Sequence, residues 1–135
     1  MSKLDSCPLC NLTKEEVINE WPNWVLVRTI RLKGHKERLM LCWKDHVSLV
    51  DERAIGEAYM MLFNVGMKAF HYSRFWAILE PTYATIPEHW HRICSDIDPA
   101  AEDHDQMIKT PRLVIDNKTL NIQRAEPGQD SITDE

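Results

Sequence analysis

The chain of 135 residues lacks any long apolar run. Its first six residues do not form an apolar stretch of signal-peptide length, and no segment approaches the roughly 20 consecutive apolar residues needed to cross a bilayer. These absences predict a soluble, cytoplasmic protein without a membrane partner.

Positive charge is also scarce. The chain has 16 lysines and arginines against 21 aspartates and glutamates, which gives a net charge of -5. Proteins that bind nucleic acid irrespective of sequence carry a basic surface that displaces counterions from phosphates. The composition gives no strong nucleic-acid signal, although the basic residues within 28–38 could hold a few phosphates.

Cysteine is limited to four residues, and only Cys7-Pro8-Leu9-Cys10 has a recognised spacing. In a reducing cytosol such a pair is more often half of a metal site than a disulfide, though a redox pair has the same spacing. Cys42 and Cys94 lie in apolar stretches, which predicts buried thiols.

The chain contains no internal repeat, and its 44% hydrophobic content predicts one domain with a core that needs no disulfides. We place this domain at residues 1–116. Residues 117–135 are polar and are predicted to form a disordered acidic tail, because its last residues cannot bury enough apolar surface to offset the entropy of ordering.

Local patterns predict a mixture of strands and helices. Segments 24–30 and 38–43 are rich in apolar and β-branched residues and are expected to pair as a hairpin. Asp51 opens the longest helical pattern, in which apolar residues recur every three or four positions. Further strands are predicted at 75–79, 89–94 and 112–116, and short helices at 13–16 and 102–109.

Two histidines stand out because they lie two residues apart in a predicted strand. Side chains at i and i+2 of a strand share one face, so His89 and His91 are expected to serve one site. Structural zinc takes four sulfur or nitrogen ligands, of which Cys7 and Cys10 supply two. His46 and one histidine of the pair would complete the site.

The other imidazole of the pair would be free to act as a nucleophile or a general base. Neutral histidine is available near pH 7 and suits nucleophilic attack on phosphorus. The alternative is that both histidines are structural. Trp90 and Arg92 alternate with them and should point to the opposite face, where Trp90 would join the core.

Several motifs in the right order resemble the histidine-triad (HIT) family. Segment 39–51, LMLCWKDHVSLVD, is similar to the family's strand, Lys-x-His-Val and helix start, and Gly34-His35 lies near the position of its Gly-His. Cys7-x-x-Cys10 resembles the start of the zinc-binding members, and His89-x-His91 resembles the triad itself. The resemblance covers about residues 7–98.

This resemblance implies an α+β fold of the HIT type, with an antiparallel sheet, one long helix and a short N-terminal zinc knuckle. It also implies a homodimer that binds nucleotides. The expected activity is nucleotidyl hydrolysis or transfer, in which the central histidine attacks an α-phosphate and forms a covalent nucleotidyl intermediate.

The family pattern has three alternating histidines, whereas this chain has two, so two registers arise. In the first, His89 completes the zinc site, His91 is the nucleophile and Ile93 replaces the third histidine, as in the galactose-1-phosphate uridylyltransferase branch. In the second, similar to aprataxin-like members, His89 is the nucleophile and Pro87 replaces the first histidine. We favour the first, because the second leaves zinc one ligand short.

Ser95 and His35 are candidate nucleotide-binding residues, although capping and turn formation explain Ser95 equally well. Two other functions fit the same sequence. One is a non-catalytic nucleotide-binding or regulatory module with a degenerate triad, and the other is a small zinc-held interaction domain unrelated to nucleotides.

Overall fold

The computed structural model describes residues 7–29, 34–80 and 88–126, which form one antiparallel sheet with two helices. The elements are β1 (Val17–Glu20), β2 (Trp24–Arg28), β3 (Arg38–Trp43), α1 (Glu52–Ala69), β4 (Phe75–Leu79), β5 (His91–Asp96), α2 (His104–Ile108), β6 (Arg112–Asp116) and β7 (Asn121–Ala125). The strand order is β1-β2-β3-β5-β4-β6-β7, with all neighbours antiparallel. The predicted α+β class, antiparallel sheet and long helix are confirmed.

The predicted hairpin is formed by β2 and β3, with Val27 paired to Met40 and Val25 to Cys42. Strand β2 ends at Arg28, two residues before its predicted end. Ile30 and the predicted loop at 81–87 lie outside the described residues.

Helix α1 begins where its sequence pattern predicts. Asp51 is the N-cap, and its carboxylate accepts a hydrogen bond from the Ala54 amide at 2.8 Å. The buried face includes Leu62 and Gly66. A Cβ atom at Gly66 would lie 2.2 Å from the ring of Trp76, so the helix approaches β4 this closely only because the residue is glycine.

Helix α1 covers one face of the sheet, and the main core lies between them. The buried side chains of this core are Trp24, Leu26, Leu39, Leu41, Ala58, Leu62, Phe70, Trp76, Ile78, Trp90, Cys94 and Ile115. The opposite face of the sheet is therefore left for the N-terminal segment and α2. That second face carries the site.

Strand β5 begins at His91, so the prediction that it includes His89 is wrong. The Trp90 carbonyl still accepts from the amide of Trp43 at 3.1 Å, but the Trp90 amide donates to the carbonyl of Val47 at 2.7 Å and so leaves the pairing with β3. Trp90 is 4% exposed and lies in the core, as predicted.

Two other predictions differ from the structure: the short helix at 13–16 and the start of the tail at 117. The predicted helix at 13–16 is a turn that leads into β1, where Val17 pairs with β2. The Thr13 amide and hydroxyl nevertheless donate to the Glu16 carboxylate at 3.1 and 2.9 Å. Strand β7 lies within the predicted tail and pairs with β6, so the sheet extends beyond residue 116. Residues 127–135 lie outside the described part of the chain.

Within the described part of the chain, neither helix combines the length and the apolar character needed to cross a membrane. Helix α2 is shorter than its predicted range of 102–109. Both buried thiols were predicted correctly: Cys42 and Cys94 are 0% exposed, and burial strongly raises the pKa of each.

Candidate functional site

Four side chains from distant parts of the sequence meet beside the end of β3. Cys7 and Cys10 lie on one N-terminal turn, His46 follows β3, and His89 lies two residues before the start of β5. One ligand atom from each residue lies within 4.8 Å of the others. This cluster could hold a metal ion, and it contains the four ligands that the sequence predicts.

Three sulfur–nitrogen separations in the cluster match those of a tetrahedral zinc site. The Sγ atom of Cys10 lies 3.4 Å from Nδ1 of His46 and 3.4 Å from Nδ1 of His89, and Sγ of Cys7 lies 3.5 Å from Nδ1 of His89. Zinc bonds of about 2.3 Å to sulfur and about 2.1 Å to nitrogen, at tetrahedral angles, separate these two ligand types by about 3.6 Å. These three separations match zinc coordination, and all four ligand atoms lie within 4.8 Å of one another.

The ring of His89 is oriented by its other nitrogen. Its Nε2 lies 2.6 Å from the carbonyl oxygen of Trp43, so this nitrogen donates and Nδ1 presents a lone pair to the cysteines. His89 is 0% exposed, and burial lowers its pKa below the ordinary value for histidine. A neutral imidazole with this tautomer is the form that binds a metal.

The turn that carries the cysteines, the N-terminal knuckle of residues 7–12, is anchored on the sheet. The amide of Cys10 donates to the carbonyl of Cys7 at 3.1 Å, and the Asn11 side chain donates to the same carbonyl at 2.8 Å. Leu9 is buried in a second apolar cluster that includes Val27 and Cys42. The knuckle thus packs on the face of the sheet that α1 leaves open.

His91 lies next to this cluster but does not belong to it. Its Nδ1 is 2.8 Å from the main-chain carbonyl of His89, so Nδ1 donates and Nε2 carries the lone pair. His91 is 6% exposed, and burial lowers its pKa. Within residues 7–29, 34–80 and 88–126, no protein group hydrogen-bonds to Nε2.

A cleft of about 1040 Å³ opens above His91. The sheet supplies its floor, with Val27, Met40, His91 and Ile93 among the lining residues. The knuckle forms one wall, and residues 102–109, which include α2, form the other. The volume is at the upper end of the roughly 300–1,000 Å³ typical of small-molecule sites.

His35 and Ser95 lie at the other end of β5, in a buried polar network. Nδ1 and Nε2 of His35 are each 2.6 Å from a carboxylate oxygen, of Asp96 and Asp103 respectively. The His35 side chain is 0% exposed, and Ser95 is also buried and bonded to the Asp96 carbonyl at 3.0 Å. Neither residue presents a free polar group to the cleft, so we assign both to the fold and not to nucleotide contact.

The same network attaches the second wall of the cleft to the sheet. Arg38 on β3 donates to the Asp103 carboxylate at 2.7 Å, and the Tyr72 hydroxyl donates to Asp96 at 2.5 Å. The pKa of His35 is raised, chiefly by its hydrogen bond to Asp96. Both partners of the Arg38–Asp103 pair also line the cleft.

Sequence reasoning did not identify residues 102–109 as part of the site. The segment was predicted only as a short helix, and periodicity carries no information about what a helix of one or two turns faces. The sequence signal available for this segment was its charge: Glu102, Asp105 and Lys109 are exposed and line the cleft.

Comparisons of the chain with protein-family models, curated proteins and solved structures found no match. The site is therefore interpreted from its own chemistry.

Proposed function

We propose that the chain is a zinc-stabilised, HIT-like nucleotidyl hydrolase or transferase, in which His91 is the nucleophile. The observation that supports this most strongly is the hydrogen bond between Nδ1 of His91 and the carbonyl of His89. This hydrogen bond joins the candidate nucleophile directly to the main chain of a candidate metal ligand. It also leaves Nε2 of His91 as the nitrogen that carries the lone pair.

The ligand set favours zinc over other divalent ions. Two thiolates and two imidazoles in a tetrahedron are typical of structural zinc sites, whereas magnesium and calcium prefer oxygen ligands. When bound, zinc would supply rigidity by holding the knuckle and the His89 main chain together. With four protein ligands, no position for substrate remains.

The chemistry then belongs to His91. The lone pair of Nε2 forms a bond to the α-phosphorus, and the bond from phosphorus to the leaving group breaks, so its electron pair departs with that group. The proton on Nδ1 stays bonded to the His89 carbonyl and stabilises the charge that develops on the ring. For hydrolysis, water then attacks phosphorus, the electrons of the phosphorus–nitrogen bond return to Nε2, and the water proton passes to solvent.

Placing His89 in the metal cluster supports the first register, with Ile93 in the third position. Ile93 lies on the same strand face as His91 and lines the cleft, but it has no proton to donate. We therefore expect a leaving group that departs without a general acid, such as a phenolate of low basicity. The lack of a proton donor at Ile93 also favours the second candidate function, a nucleotide-binding module without catalytic activity.

The dimensions of the cleft are compatible with a mononucleotide. His91 pairs with Cys42 on β3, and Ser95 pairs with Arg38 four residues away. This separation corresponds to about 13 Å along the strand. The apolar floor at Val27 and Met40 would contact the base, with the α-phosphate at His91. Homodimerisation and a cytoplasmic location stay predictions.

Two measurements test this proposal. Protein purified without chelators should contain one zinc per chain, and Cys10→Ser should abolish it. A 4-nitrophenyl ester of a nucleoside 5′-monophosphate should be cleaved by the wild type and by the exposed-histidine control His71→Ala, but not by His91→Ala. Equal activity in His91→Ala and wild type would remove the nucleophile assignment, and metal-free, fully folded protein would remove the zinc site.

If binding without turnover is the function, wild type and His91→Ala should both bind nucleotide and neither should cleave it. Equilibrium dialysis with a labelled nucleoside monophosphate separates this outcome from the enzymatic one. A chain that neither binds nor cleaves nucleotides, but does bind zinc, would instead support the zinc-held interaction domain.

A further inference from the structure

The unpaired charges of the cleft lie on one of its walls. Carboxylates exceed cations around the cleft: the acidic residues are Glu16, Glu102, Asp103 and Asp105, and the basic residues are Arg38 and Lys109. Arg38 and Asp103 neutralise each other at 2.7 Å. Among the described residues, Glu102, Asp105 and Lys109 form no ion pair, so the 102–109 wall presents two carboxylates and one ammonium group to the cleft.

The position of His91 determines which part of a substrate would meet these charges. Side chains of a strand stand roughly perpendicular to the sheet, so His91 attacks from the floor. In displacement at phosphorus the attacking and leaving atoms are roughly in line. The leaving group therefore points away from the sheet, toward the mouth of the cleft, where Glu102 and Asp105 are exposed.

We propose that the enzyme selects nucleotides whose leaving group carries a positive charge, and that Glu102 and Asp105 determine this specificity. This inference rests on the proposed function of His91. This charge preference disfavours anionic polyphosphates as substrates, because both carboxylates would repel their leaving groups. A leaving group with an ammonium group, such as an amino-acid or amine derivative, fits the wall instead.

A series of substrates varies the charge of the leaving group, and comparing each variant with wild type cancels the differences in leaving-group basicity. Aryl esters of one nucleoside 5′-monophosphate would carry a para aminomethyl, methyl or carboxymethyl substituent, which is cationic, neutral or anionic at pH 7. Each carboxylate should change kcat/KM by about threefold per unit charge at low ionic strength, and salt should reduce the effect. Because the Lys109 ammonium group offsets one of the two carboxylates, we expect the wall to favour the aminomethyl ester over the methyl ester about threefold and to disfavour the carboxymethyl ester about threefold.

Single variants test the two residues. Glu102→Gln and Asp105→Asn should each remove the wall's preference for the aminomethyl over the methyl ester, while Lys109→Gln should increase it to about tenfold. Glu15→Gln is the control, because Glu15 is exposed and does not line the cleft but changes the net charge equally. The methyl ester should react at the wild-type rate in Glu15→Gln.

The outcomes separate this inference from the function on which it rests. His91-dependent cleavage of all three esters at equal rates, or fastest cleavage of the carboxymethyl ester, would overturn the charge preference and leave the nucleophile in place. A charge preference that Glu15→Gln weakens as much as Glu102→Gln would overturn the assignment to the wall. Absence of any His91-dependent cleavage would overturn the proposed function and this inference with it.

Discussion

Replacing His35 with glutamine should lower the free energy of unfolding by about 3 kcal/mol near pH 6, because removing one partner of a buried ion pair costs about 3–5 kcal/mol. Both ring nitrogens of His35 face carboxylate oxygens at 2.6 Å, which requires both to carry protons. The lower end of the range applies because each carboxylate keeps a partner: Asp103 keeps Arg38, and Asp96 keeps Tyr72.

The same interaction makes stability depend on pH with a definite sign. The pKa of His35 is raised in the folded state, so its contribution is complete below about pH 6.5, the unfolded value, and is lost as pH rises through the folded value. Within that window the slope is at most about 1.4 kcal/mol per pH unit. Burial raises the pKa of Asp96, but hydrogen bonds from His35 and Tyr72 outweigh it, so the contribution of Asp96 is lost as pH falls below about 4.

Urea unfolding between pH 5.5 and 8.5, with zinc in constant excess, measures this effect. Wild type and the exposed-histidine control His71→Gln should lose stability as pH rises through the window. The difference in free energy of unfolding between wild type and His35→Gln should therefore shrink over the same range. A His35→Gln variant as stable as wild type at pH 6, or a difference independent of pH, would refute the assignment of His35 as a buried imidazolium.

Three further predictions concern packing, chemistry and metal. Gly66→Ala should destabilise the protein by about 1–3 kcal/mol in urea unfolding, because its Cβ would overlap the Trp76 ring, whereas Gly56→Ala, with no atom within 4 Å of the added Cβ, should stabilise it by about 0.5–1 kcal/mol. Equal effects at the two glycines would contradict the packing of α1 on β4. Ile93→His should raise the rate with basic leaving groups and leave the rate with 4-nitrophenolate unchanged; a uniform change would argue against a missing general acid. Cys10→Ser should remove the stabilisation of about 2.7 kcal/mol that wild type gains at zinc concentrations 100 times the Kd, seen as the loss of the zinc-dependent increase in Tm.

The sequence predicted the parts of the fold that have strong local signals. The hairpin of β2 and β3 and the helix that begins after Asp51 follow from apolar periodicity and from a capping residue. The short edge strands β1 and β7 were missed, because their residues are mostly exposed and their order comes from pairing with a neighbour. Backbone pairing of this kind leaves no hydrophobic pattern to read.

The candidate metal ligands were predicted because spacing and residue type restrict them strongly. Cys7 and Cys10 require two further ligands, and few histidines lie at strand ends. The choice between His89 and His91 could not be made from spacing, because it depends on where β5 begins. His89 lies before that strand, with its imidazole against the cysteines and the Trp43 carbonyl, whereas His91 lies in the strand and lines the cleft.

The contacts of His35 could not be predicted from the sequence. Its Gly-His context suggested nucleotide contact, but its partners Asp96 and Asp103 are more than 60 residues away along the chain. Which polar groups meet across such a separation is decided by sheet topology. The charged wall at 102–109 was missed for the same reason, since the sequence alone does not show that it faces His91.

The most direct test of the central claim is to trap the covalent intermediate and locate it. Wild-type protein would be mixed with a nucleoside monophosphate aryl ester, quenched in alkaline denaturant within the first turnover, and mapped by peptide mass spectrometry. The account predicts one nucleotidyl group per chain on His91 and none in His91→Ala. An adduct on His89, or full turnover with no adduct on any histidine, would contradict it.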